Sequence, residues 1–275
     1  MLTVNHLTKR LPDGTCLLND ITFTVRKGEF VGILGASGAG KSLTMRCMLG
    51  LTSASAGSVV FTGEQGKTYT TTTIKGAELR RARRNIGVIF QGSNLVKRLP
   101  VLDNVMIGRL GRINPLRSWL YGFTDGEAED AMEALARVGM AGFAARMTGS
   151  LSGGEVQRVA IARAIYQRPL CYLADEPIAS LDPKNSRAIM QLLQPLAAEH
   201  PIIGSFHQPD MAAEFCTRVL GIRSGTIVYD GSPKMSPAQL AYIYSQESGP
   251  ETDAKPARHQ GPMRGGAVMT AGNPA

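Results

Sequence analysis

Phe30-Val31-Gly32-Ile33-Leu34 runs without a break into Gly35-Ala36-Ser37-Gly38-Ala39-Gly40-Lys41-Ser42-Leu43, and this stretch decides the fold. The first part is an apolar run of the length and character of a buried strand. The segment from Gly35 to Ser42 has the form GxxxxGK[ST], a phosphate-binding loop. Ser42 to Leu51 then reads as a helix that ends near Gly50. Strand, glycine-rich loop and helix in that order separate a phosphate site from a plain glycine turn. Gly35, Gly38 and Gly40 let the backbone come close to an anion, with Ala36, Ser37 and Ala39 filling the loop between them. The N–H groups of Gly38 to Ser42 and the positive end of the helix would surround a β-phosphate. Lys41 is placed to bridge the β- and γ-phosphates, and the Ser42 hydroxyl to ligate Mg²⁺.

A second apolar strand, Leu170 to Ala174, closes on Asp175-Glu176. In an α/β sheet this sets both carboxylates at the carboxyl edge, beside the phosphate loop. Asp175 would hold Mg²⁺ through water. Glu176 would polarise the attacking water, because in-line displacement needs an acceptor opposite the leaving ADP. Two further apolar strands end on polar residues: Ile86 to Phe90 runs into Gln91, and Ile202 to Phe206 into His207. Leu151-Ser152-Gly153-Gly154-Glu155 opens another helix, and Ser-x-x-Glu there is a capping box. Two glycines at a helix start also make an anion site, and the two readings are compatible.

The remainder of the chain fits around this core. Residues 2–7 and 21–25 are strand-like, with Pro12-Asp13-Gly14 as the turn between them, and the threonine-rich run 68–73 is a hairpin or loop. Helical periods take over from about residue 95 to 152, at Val101 to Met106 and Glu127 to Val138, around an aromatic interruption holding Pro115, Trp119, Tyr121 and Phe123. This segment is expected to be a helical subdomain inserted in an α/β core. A further helix should follow Pro183, and residues 246–275 lack periodicity and are expected to be a disordered tail. No apolar run reaches the length of a membrane span, and the N-terminus has no signal-peptide layout, so the product is expected to stay in the cytoplasm. Cys16, Cys47, Cys171 and Cys216 are scattered without a CxxC pair, as reduced structural thiols are. The formal charge is +8, densest at Arg80-Arg81-Ala82-Arg83-Arg84. No aromatic platform interleaves with that run, so it reads as a solvated helix face and no nucleic-acid partner is expected.

The five motifs, in this order, resemble the nucleotide-binding subunit of ATP-binding-cassette (ABC) transporters over residues 1–245. The resemblance implies a P-loop NTPase core of RecA type with an antiparallel β subdomain and the helical insertion, an ATPase activity, and ATP and Mg²⁺ as ligands. It implies that Gln91 reaches Mg²⁺ and the water when the helical subdomain rotates inward, and that His207 contacts the γ-phosphate. It also implies that Ser152, Gly153, Gly154 and Glu155 face the ATP held by a partner subunit, so that two ATP molecules are clamped in a head-to-tail homodimer. Ser180-Leu181-Asp182 matches the loop that crosses that dimer contact.

Three stretches, 87–96, 101–111 and 174–183, look like the ATPase of phosphonate importers, with phosphite importers as the near alternative. That branch implies a peripheral subunit on the cytoplasmic face of the inner membrane. It would dock on an integral permease near residues 94–98 and be served indirectly by a periplasmic solute-binding protein. Leu11 stands where the family carries an aromatic against adenine, Leu43 where it carries a second hydroxyl, and Glu155 where Gln is frequent. Two other classes compete. A soluble ABC ATPase on nucleic acid or ribosomes would carry two cassettes or long insertions. A small-acceptor P-loop kinase would leave Leu151–Glu155 and His207 without a purpose.

Overall fold

The computed structural model describes residues 1–62, 68–92, 94–113 and 122–245. The expected tail at 246–275, with Pro115, Trp119 and Tyr121 of the aromatic interruption, lies outside these residues. Phe123 is described and packs, partly buried, on the core.

One sheet has six strands in the order β10-β9-β3-β8-β7-β6, where β3 is Phe30–Leu34, β6 Ile86–Ile89, β7 Cys171–Asp175, β8 Ile202–Ser205, β9 Arg218–Arg223 and β10 Thr226–Gly231. All neighbours are parallel except β9 and β10. The parallel register aligns Ile33 with Ser205, Ser205 with Asp175, and Ala174 with Ile89. The strands therefore end together, and the polar residues that follow them gather along one edge. The apolar runs seen in the sequence are long enough to cross the sheet and stop where the chemistry starts.

Side chains alternate along β3 between two cores, as a period of two requires. Phe30 and Leu34 point into one, where they join Leu135, Ile161, Ile189 and Phe206 from the helical face. Val31 and Ile33 point into the other, with Val4, Phe23, Phe61 and Met48. This second core is closed by an antiparallel sheet of order β2-β1-β4-β5, with β1 at Leu2–Arg10, β2 at Cys16–Val25, β4 at Ala56–Thr62 and β5 at Thr68–Thr70. The threonine-rich run is thus partly a strand, β5, and Thr71 just beyond it donates its hydroxyl to the Met48 carbonyl at 2.7 Å.

Helix α1 spans Lys41–Met48 and α2 Gly76–Arg83. The basic run has a structural use. Arg83 donates to the Leu49 and Gly50 carbonyls at 2.9 and 2.7 Å and so caps the end of α1, while Arg80, Arg81 and Arg84 stay exposed. Helices α3 (Val101–Met106), α4 (Asp125–Arg137) and α5 (Gly153–Tyr166) pack on one another, and the described residues between β6 and α5 contain no named strand. Buried Asn104 ties the segment before α3 in place, accepting from the Val96 amide at 2.7 Å and donating to Thr148 Oγ1 at 2.9 Å. Helix α6 (Pro183–Leu193), α7 (Pro209–Phe215) and α8 (Pro237–Tyr244) complete the helical face. Cys47, Cys171 and Cys216 are buried and Cys16 is exposed, all as free thiols.

Candidate active site

The loop after β3 adopts the left-handed backbone that its glycines permit, with φ of +80° at Gly38 and +109° at Gly40. Gly35 is needed for space as well: a Cβ there would lie 2.2 Å from the Ile222 carbonyl oxygen of β9. At the centre of the loop sits Lys41, 4% exposed, its Nζ donating to the carbonyls of Gly35 at 2.8 Å and Ala36 at 3.0 Å. Burial pushes the Lys41 ammonium below its usual value, while the charges of Glu176 and Asp175 work against that shift. A cleft of about 360 Å³ opens in front of the loop, lined by Ser37, Gly38, Gly40, Lys41, Ser42 and Leu43 together with Glu176 and His207.

Beside the cleft, Ser42 Oγ donates to Asp175 Oδ1 at 2.9 Å. The same carboxylate oxygen accepts from Ser205 Oγ at 2.8 Å, and Ser205 Oγ in turn accepts the Glu176 amide at 2.9 Å. Glu176 lies just past β7 with a φ of +49°, an unusual conformation for a side-chain-bearing residue. Its Oε1 is 2.5 Å from His207 Nε2, with the carboxylate side chain 12% and the imidazole 44% exposed. The loop, Asp175, Glu176 and His207 are thus one hydrogen-bonded assembly spanning β3, β7 and β8. Ser205 is its central link and was not singled out from the sequence. The available signal was one hydroxyl residue ending the apolar run Ile202–Ser205, where it is fully buried.

Ser152 to Glu155 sit apart from this cleft. The capping box is complete: Glu155 Oε2 accepts from the Ser152 amide and hydroxyl, both at 2.7 Å, and the Glu155 amide donates to Ser152 Oγ at 3.5 Å. Those hydrogen bonds hold the Glu155 carboxyl below its ordinary value. Gly153 packs near Leu181, and a Cβ on Gly154 would meet the Asn185 amide at 3.1 Å. Asp182 caps α6 by accepting from the Lys184 and Asn185 amides at 3.0 Å each. Gln91 is exposed and lines two clefts, one beside Met45 and Asp175, the other beside Gly153, Glu176 and Ser180. It is therefore between the two halves and joined to neither. Leu11 is exposed near the β1–β2 turn, and the β2 residue that lines the phosphate cleft is Leu17.

This geometry has counterparts. A family model described as ABC transporter matches residues 18–179, from the start of β2 through the phosphate loop and the turn after Glu176. The chain belongs to the ABC transporter family. Relatives of this ABC ATPase include proteins named phosphonates import ATP-binding protein. The one from Synechococcus sp. (strain JA-2-3B'a(2-13)) is 42% identical over 93% of this chain and 96% of its own. The one from Lactobacillus delbrueckii subsp. bulgaricus is 43% identical over 92% and 98%. Among solved structures, a dimeric ATP-binding cassette in a post-hydrolysis state with ADP and Pi matches with a TM-score of 0.70 and 28% identity, covering 86% of this chain and all of that one. A nucleotide-free cassette from an ABC transporter matches with a TM-score of 0.76 and 25% identity over 90% and 99%. The expected fold, a P-loop core with an antiparallel β sheet beside it, is the observed one. No described helix is long and apolar enough to cross a membrane.

Proposed function

We propose that this ABC ATPase hydrolyses ATP to energise import of a phosphonate through a membrane permease. The observation that carries the ATPase part is the continuous set of hydrogen bonds from Ser42 through Asp175 and Ser205 to Glu176, and from Glu176 to His207. A hydroxyl and a carboxylate 2.9 Å apart at a phosphate loop are hard oxygen donors of the kind Mg²⁺ takes. Ser42 would bind the metal directly and Asp175 through water, with Gln91 joining from the rim. When bound, the metal neutralises charge on the phosphate oxygens.

The chain's own groups do the rest. Amides of Gly38 to Ser42 and the Lys41 ammonium hold the phosphates, and the loop fixes the γ-phosphorus toward Glu176. Glu176 takes a proton from the attacking water as its oxygen bonds to the γ-phosphorus and the bond to the β–γ bridging oxygen breaks. His207 steadies the Glu176 carboxylate and would bind a γ-phosphate oxygen. Residues 95–152 act as a helical unit that brings Gln91 and the Ser152 turn into play. A second copy supplies Ser152, Gly153, Gly154 and Glu155 to each ATP. We place the chain on the cytoplasmic face of the membrane, docked on its permease near residues 94–98.

The phosphonate part is supported by relatives of that name over nearly the whole chain. Uptake of labelled methylphosphonate, phosphite and orthophosphate by cells with and without this chain tests it. Loss of methylphosphonate uptake alone is the expected result. Loss confined to phosphite would move the chain to the neighbouring branch, and unchanged uptake of all three would overturn the substrate class.

A further inference from the structure

Helix α8 lies against β9, the neighbour of the strand that feeds the phosphate loop. Ile243 is fully buried there, and a Cβ on Gly221 would fall 2.6 Å from its Cδ1, so the helix docks where the strand has no side chain. Gly221 is in register with Leu34, the residue before the loop. Arg223, the last residue of β9, fastens the end of α8. Its guanidinium stacks 4.0 Å from the Tyr242 ring centroid and donates to Ser245 Oγ at 3.0 Å.

Tyr244, half-buried at the end of this helix, donates its hydroxyl to the His207 carbonyl at 3.4 Å. Burial pushes the Tyr244 phenol above its usual value, with the Gly35 backbone working against that shift. The hydroxyl oxygen therefore ties α8 to the main chain that follows β8. His207 lies between the end of β8 and Gln208, the N-cap residue of α7, so its carbonyl is outside the sheet ladder. Its ring stands 2.5 Å from Glu176.

We propose that Tyr244 is a positioning residue for ATP hydrolysis, tying the His207 main chain to α8, which is itself anchored on β9, and thereby aiming the His207–Glu176 pair. It acts through His207 and stays clear of the reacting atoms. The inference rests on the ATPase reading and adds α8 to the machinery.

Tyr244→Phe removes the hydroxyl and leaves the ring and the Ile243 anchor in place. Steady-state hydrolysis by the full chain should show kcat lowered about fivefold with KM for ATP within about twofold of the parent and an unchanged Tm. Tyr242→Phe, which removes a hydroxyl from the same helix, should leave kcat alone. A Tyr244→Phe enzyme with the parent's kcat overturns the proposal, as does a fall in kcat matched by a lowered Tm or an equal fall in Tyr242→Phe. A parent chain that does not hydrolyse ATP in the same assay would overturn the ATPase reading itself, and the role of Tyr244 with it.

Discussion

The phosphate loop and the Ser152 turn are both glycine-bearing helix starts, yet the chain finishes only one of them. At the loop, Lys41, Ser42, Glu176 and His207 converge on a single cleft with Asp175 bonded to Ser42 behind them, and the hydrogen bonds run from strand to strand. At the turn, the Ser152 hydroxyl and Glu155 carboxylate are committed to each other, and the glycines lean on Leu181 and Asn185. Both offer the positive end of a helix. The first has a cation, carboxylates and a histidine arranged for transfer of a phosphoryl group, whereas the second has local order and an open face. The contrast fits a site whose second half comes from another copy.

The sharpest way to break this contrast is Glu176→Gln. Turnover should fall by roughly three orders of magnitude with ATP affinity retained, since the amide keeps the shape and loses the base. Near-normal turnover would remove Glu176 from its role. Lys41→Ala should weaken ATP binding by about a hundredfold, measured by titration calorimetry; an unchanged Kd would detach the cleft from phosphate binding. The parent Lys41 also gives a sign in pH. Because its ammonium is held below the usual 10.5, it loses its charge at a lower pH than an exposed lysine. ATP affinity should therefore decline on the alkaline side, ahead of that value, and Lys41→Arg should move the decline upward.

Ser152→Ala should lower stability by about 1 kcal/mol through the lost cap and leave ATP binding to the isolated chain intact. Glu155→Gln, which keeps an acceptor at that position, should be close to neutral. If Ser152→Ala weakens ATP binding by a monomer, the two regions are not separate in the way described. Leu11→Tyr tests the place the family resemblance gives to an adenine-stacking aromatic. Tightening of ATP binding by about fivefold would support it, and an unchanged Kd would assign that contact elsewhere, as the lining of the cleft by Leu17 rather than Leu11 suggests.

Much of the first region was legible in the sequence because apolar runs stop where the polar chemistry begins. Phe30–Leu34, Ile86–Ile89, Cys171–Asp175 and Ile202–Ser205 all lie within or one residue from the stretches read as strands, and parallel pairing then brings their ends together. The Ser-x-x-Glu spacing likewise foretold the capping box. Strands β9 and β10 went unread, since the residues of β10 are mostly half-exposed and do not alternate cleanly. Ser224-Gly225 between them, with φ of +46° and +75°, makes the turn and is their one local sequence signal. Ser205 and Tyr244 carry no motif at all. Their importance comes from contacts made over separations of 30 and 37 residues, which periodicity and spacing do not encode.

The central claim is that a second copy completes each site, and one measurement addresses it directly. The mass of Glu176→Gln would be followed by light scattering in Mg²⁺ with ATP, with ADP and without nucleotide, alongside the amount of ATP retained per chain. A dimer that forms with ATP alone and retains two ATP molecules is the predicted result. A chain that stays monomeric while saturated with ATP would contradict the account.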